Sequence, residues 1–197
     1  MSKKSKRRKL GPAKPEVIAA FKAGKTIVVS RPNAIARLLD TAIWLWALEK
    51  DPLPIHLLVM AAYQCLEDMG KKTGKGPKLK AAISGDAFTQ AYDFLRHASN
   101  SPDAAISLPH SANTFILFDT IAAFEGIFGT VSIYMRTFRA HFVIFGNADY
   151  KPREDLRRRV NDWLPEGVTI GEVEGLTKAV FFAKLTEMFA TIGPRSV

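Results

Sequence analysis

From Arg31 onward, apolar positions recur at helical spacing. Pro32 suits a first helical turn, and Ile35, Leu38, Leu39, Ala42 and Trp46 then fall on one face. A turn at Lys50-Asp51-Pro52 ends that helix. A second starts around Pro54 and carries Ile55, Leu58, Val59, Ala62, Leu66 and Met69 on one stripe. It stops at Gly70, before the basic, glycine-containing loop Lys71-Lys-Thr-Gly-Lys75-Gly-Pro-Lys78-Leu-Lys80. Ser84 is a candidate N-cap for a helix that turns Phe88, Ala91, Phe94 and Leu95 inward and ends near Arg96-His97. Residues 98–110 read as a long polar connection.

In the second half, Ser111 can cap a helix reaching about Phe128, broken at Gly126 and Gly129. Thr130 begins the next, striped by Val131, Tyr134, Phe138, Phe142 and Phe145 and closed by Gly146-Asn147. Leu156, Val160 and Trp163 predict a short amphipathic helix stopped by Pro165. Phe181, Leu185, Met188 and Ile192 define a last one, widened by Phe182 and Phe189. Only Thr26-Ile-Val-Val29 is strand-like, and it is too short to build a sheet. The expectation is all-α: about seven helices in a single compact bundle over residues 16–197, preceded by a disordered basic arm over residues 1–15. Trp44 and Leu48 point away from the Leu38/Ala42/Trp46 stripe, so their helix is either central to the bundle or part of an oligomer contact such as a homodimer. Central burial is the expectation.

Composition agrees with a packed globule. The 197 residues are 47% apolar and 24% charged, enough to bury a core without covalent staples. The single cysteine, Cys65, excludes an internal disulfide framework and a cysteine-rich zinc module. The longest uncharged apolar stretch, about Leu53 to Leu66, is interrupted by Pro54 and His56 and is too short to cross a bilayer. The opening residues lack the apolar core of a secretory signal. No membrane partner and a cytoplasmic, reducing location are therefore expected.

Charge changes the picture more than composition does. The formal charge is +9, and residues 1–31 carry ten lysines and arginines against the single acid Glu16, while the remaining 166 residues balance eighteen bases with eighteen acids. The sequence pI of 9.7 therefore describes an arm joined to a neutral body. Lys3, Lys4, Lys6, Arg7, Arg8 and Lys9 repel one another and bury nothing, hence the expected disorder. Such a run condenses on phosphate backbones and releases counterions, giving sequence-independent affinity for RNA or DNA. Acidic lipid headgroups attract it too, and a solubilising tail has the same composition. No aromatic residue in the first twenty adds base stacking.

Candidate chemistry is sparse, and neither a metal nor a cofactor is expected. His56, Tyr63 and Glu67 align along one helix and, with His97, form a candidate cleft. For His56 the favoured reading is a satisfied boundary histidine rather than a cleft. Asp93 and His97 are spaced to pair on one helix. The Gly70–Lys80 loop has no preceding strand and no Gly-Lys-Ser/Thr ending, so it is not a P-loop. With Arg153, Arg157, Arg158 and Arg159 it offers a second basic surface, unless these are only solvated helix ends. Cys65 has no evident activating base. The Phe-rich second half reads as core rather than as a ligand pocket.

Two resemblances add expectations. Arg136-Thr-Phe-Arg-Ala-His141 resembles the Arg-His motif of HEPN ribonucleases, compact helical bundles in which both side chains act on RNA, commonly at a dimer interface. That resemblance implies metal-independent phosphodiester cleavage by Arg136 and His141, although positions five apart on a helix diverge by roughly 140°. Asp51-Pro-Leu-Pro-Ile-His56 and Phe94-Leu-Arg-His97-Ala resemble segments of a group of small, uncharacterised bacterial helical proteins. This implies a bacterial cytosolic helical protein and no particular activity. The leading expectation is a binding or interaction protein whose basic arm contacts nucleic acid non-specifically. The endoribonuclease is the alternative.

Overall fold

A computed structural model of the chain describes residues 27–82, 94, 105–108, 110–146 and 160–192. The chain divides into two units, Met1–Ser30 and Arg31–Val197. In the first, residues 27–30 have no regular secondary structure, and Ile27 and Val28 are exposed. The arm residues Lys3, Lys4, Lys6, Arg7, Arg8 and Lys9 lie outside the described residues.

The second unit opens with α1 (Arg31–Ala47), which folds back through a short turn into α2 (Pro52–Gly70). Asp51 starts α2: its carboxylate accepts from Leu53 N at 2.9 Å, and Pro52 in the first turn has no N–H to satisfy. A single turn, α3 (Leu79–Ala82), follows the basic loop. Then come α4 (His110–Phe128), α5 (Ile133–Phe145), α6 (Val160–Trp163), α7 (Ile170–Val173) and α8 (Lys178–Ile192). Among the described residues there are no β-strands, and this unit is an all-α bundle.

Packing follows the apolar stripes. α2 lies between α1 and α4, while α5 joins α1 and α4 to α6 and α8. Leu39, Ile43, Leu66, Leu117, Ile121, Met135 and Leu185 are fully buried. The Phe-rich half supplies rings that pack on one another: Phe142 stacks on Phe118 at 4.3 Å, and Trp46 meets Phe138 edge-on at 4.8 Å. The Trp46 indole N–H is satisfied by Thr114 Oγ1 at 3.0 Å, and the Lys178 ammonium sits 4.1 Å from the Trp46 ring centre.

Local chemistry shifts several boundaries. Ser132, not Thr130, caps α5: its hydroxyl accepts from Met135 N at 3.2 Å and donates to Asp40. Burial holds the Asp40 carboxyl above its usual range, against the opposing effect of that hydrogen bond. Gly146, at φ 61°, closes α5 as expected. Gly126 does not break α4, which runs unbroken to Phe128, and Ser111 lies inside that helix rather than capping it. α7 was not legible from its apolar pattern. Its signal is a capping box, in which Thr169 N donates to Glu172 Oε2 at 2.7 Å.

One packing expectation is overturned. Trp44 and Leu48 are 45% and 40% exposed, so α1 is not enclosed on all sides. Opposite the core stripe, Trp44 meets the Tyr134 ring edge-on, at 6.1 Å between ring centres. Of the helix expected after Ser84, Phe94 alone is described, and it is helical. Among the described residues, no helix is long and apolar enough to cross a membrane.

Candidate nucleic-acid interface

The described part of the chain presents its densest cationic surface in the loop from Lys71 to Lys80. Gly70 ends α2, and its carbonyl accepts from Thr73 N at 3.1 Å and Gly74 N at 2.9 Å. Gly74 then takes φ +67°, a conformation that glycine adopts without strain. The returning backbone passes so close to the helix that a Cβ on Gly70 would lie 2.2 Å from Gly76 N. The far end is fastened to two helices. Asp119 on α4 accepts from Lys78 N at 2.8 Å and Leu79 N at 2.7 Å, and the Tyr63 hydroxyl on α2 accepts from Lys80 N at 2.9 Å.

These anchors decide which lysines are displayed. Lys71, Lys72, Lys75 and Lys78 are exposed, whereas Lys80 is half-buried with its ammonium 3.5 Å from Glu67. Lys71 is paired with Asp68 at 2.6 Å, which lowers the Asp68 pKa and raises that of Lys71. A trough of about 310 Å³ runs between the loop and α4, past Gly74, Lys75 and Gly126, with Asp119 in its wall. Burial raises the Asp119 carboxyl above its usual range, while the two backbone N–H groups act in the opposite sense. Burial also pushes the Tyr63 phenol up to about 12, although the N–H of Lys80 favours the charged form.

Rigidity of this loop is testable. Gly70→Ala is expected to destabilise the protein by about 1–3 kcal/mol, because the added methyl meets backbone rather than a yielding side chain. It should also open the loop to trypsin. Unchanged urea unfolding and unchanged cleavage at Lys71–Lys80 would show that the loop can move away freely.

Three of the four residues of the candidate cleft, His56, Tyr63 and Glu67, are described. His56 is buried between α2 and α4 and is 2% exposed. Asn113 donates its Nδ2 to Pro52 O at 2.8 Å, which turns its Oδ1 to the imidazole, so His56 Nδ1 donates across 2.9 Å. His56 Nε2 is left buried without a hydrogen-bond partner. Burial lowers the His56 pKa, with the Asn113 bond opposing it. Tyr63 is buried as well and faces Lys80 instead, while Glu67 accepts from Gln64 Nε2 at 2.9 Å. The three share α2, but among the described residues their hydrogen-bond partners differ: Asn113 on α4 for His56, Lys80 in the loop for Tyr63 and Gln64 for Glu67. His97 lies outside the described residues, as do Arg153, Arg157, Arg158 and Arg159.

Arg136 and His141 both lie on α5. His141 is 8% exposed and faces aromatic rings: Phe145 at 4.6 Å, Trp46 at 5.1 Å and Phe181 at 5.2 Å between ring centres. Burial, with a smaller contribution from Lys178, lowers its pKa to about 3. The imidazole is therefore neutral at physiological pH and shielded from a phosphodiester. Arg136, half-exposed, makes no hydrogen bond or ion pair with it.

Together the helical bundle and its pinned lysine loop define the class: an all-α protein with a built cationic surface. No protein-family model, no curated protein and no solved structure matches this chain.

Proposed function

We propose that this is a nucleic-acid-binding module that engages phosphate backbones without reading sequence, through its basic arm. The observation that carries the reading is the segregation of charge, with the whole excess of +9 inside residues 1–31 and a balanced remainder. Six cations within seven positions, Lys3 to Lys9, neutralise phosphates by point charge and release their counterions. The exposed lysines of the Gly70–Lys80 loop support the reading, since they add a fixed cationic surface to a body with no net charge. The closed surroundings of His141 favour binding over hydrolysis, because a general base must reach the proton it removes.

The test keeps the chain at full length and replaces Lys3, Lys4, Lys6, Arg7, Arg8 and Lys9 by glutamine. Affinity for a single-stranded oligonucleotide is then followed across salt concentration. Loss of six phosphate contacts should flatten the log–log salt slope by about 4. Equal affinity and equal slope for the two proteins would remove the arm from the interface.

A further inference from the structure

A second feature lies at the other side of the basic loop, where α1 begins and α2 ends. The α1–α2 hairpin brings Arg31 beside the last turns of α2, and a groove of about 460 Å³ opens between them. Its lining is Arg31, Cys65, Asp68, Met69 and Lys72. Cys65 and Met69 are half-buried and form an apolar floor, while the two cations and the carboxylate stand exposed at the rim. Among the described residues, neither Arg31 nor Lys72 has an ion-pair partner; Asp68 in the same lining is paired with Lys71. α1 has no acidic residue in its first turn to offset them. Arg31 is also the residue through which the chain enters the bundle from the basic segment.

We infer that this groove holds an unpaired RNA strand, an inference that rests on the nucleic-acid reading above. Two unneutralised cations flanking an apolar floor match the two parts of a nucleotide: phosphates lie on Arg31 and Lys72, and a base lies against Met69 and Cys65. A thioether makes favourable contact with an aromatic ring. A duplex hides its base faces in the stack and gains nothing from such a floor, whereas an unpaired strand offers them. Asp68 selects the sugar. Its charge is offset by Lys71, which leaves its remaining acceptor positions free to take a hydrogen bond from the ligand. The ribose 2′-hydroxyl is the donor of that bond, and deoxyribose lacks it. Asp68 keeps acceptor capacity beyond its bond to Lys71, its side chain being 59% exposed.

The groove carries its own reporter, since Cys65 is the only thiol in the chain. Alkylation of the full-length protein by a maleimide is timed by mass spectrometry, alone and with a uridine oligomer, its deoxy counterpart or an RNA duplex. Complex formation is followed in parallel by fluorescence anisotropy. With the RNA strand at ten times its Kd, an occluded thiol reacts about tenfold more slowly. The deoxy strand and the duplex should leave the rate near that of the free protein. Arg31→Gln with Lys72→Gln, both on exposed side chains, should abolish protection while the strand still binds through the arm. Should RNA bind without slowing Cys65, or the deoxy strand and duplex protect equally, the groove assignment falls and the arm reading survives. Should no RNA bind at all, both fall.

Discussion

Replacing Glu125 by alanine is expected to cost about 3 kcal/mol of folding stability, among the largest losses available from one side chain. Its partner Arg139 lies on α5 with a side chain only 6% exposed. One guanidinium N–H is donated to Glu125, and the group lies 5.3 Å from the Trp163 ring centre on α6. Its Nε is already buried without a partner. Removing the carboxylate therefore leaves a buried charge that no other acid among the described residues compensates. The figure sits at the lower end of the range for broken buried pairs because the Glu125 side chain is 37% exposed. Arg139→Met, which removes the charge and keeps an apolar stem of similar length, should cost no more than about 1.5 kcal/mol. The double variant should match Arg139→Met. Urea unfolding of the three proteins tests this, and a Glu125→Ala protein as stable as the parent would mean that the cation finds solvent after all.

Acidification from pH 7 to pH 4 should destabilise the fold by a comparable amount, with His141 as the largest contributor. In the folded chain its imidazole stays neutral down to about pH 3, whereas in the unfolded chain it protonates near the ordinary 6.5. Between those values the unfolded state binds the extra proton, so stability is full above pH 6.5 and declines as pH falls toward 3. The slope for one such group is about 1.4 kcal/mol per pH unit, or about 3 kcal/mol by pH 4. His56 acts in the same direction: burial lowers its pKa, and its Nε2 has no acceptor waiting for a proton. Asp40 and Asp119 act in the opposite direction near the bottom of the range. Their raised carboxyl pKa values favour the folded state as they protonate, so they offset part of the decline at the acid end. His141→Phe, a ring placed among Phe145, Phe181 and Trp46, should fold normally at pH 7 and show a clearly shallower decline. A slope identical to that of the parent would assign the acid sensitivity elsewhere.

The candidate site was legible in one part and hidden in another. The lysines and glycines of the Gly70–Lys80 loop mark it as a basic surface loop from sequence alone, because both residue types disfavour burial and regular structure. Its rigidity was not legible. That depends on Asp119, forty residues away from Leu79 in the chain, and on a close approach of Gly76 to Gly70 that no spacing rule encodes. The groove was equally hidden, since it joins Arg31 to Lys72 only after α1 and α2 have folded together.

What the sequence determined by itself is whatever depends on periodicity and charge. The stripe at Ile35, Leu39, Ala42 and Trp46, the stop at Gly70 and the closure at Gly146 each follow from side-chain spacing or backbone freedom within a few residues, and the division into a cationic segment and a neutral body needs only counting. Tertiary structure decided the fate of single polar and aromatic side chains. Trp44 and Trp46 are two residues apart on one helix, yet one is 45% exposed and the other 8%, because only one face of α1 is covered by neighbouring helices. His56 and His141 are chemically alike in the sequence. One is committed to Asn113 and the other to a cage of rings, because burial, and with it protonation, is set by which neighbours the packed helices bring from far along the chain.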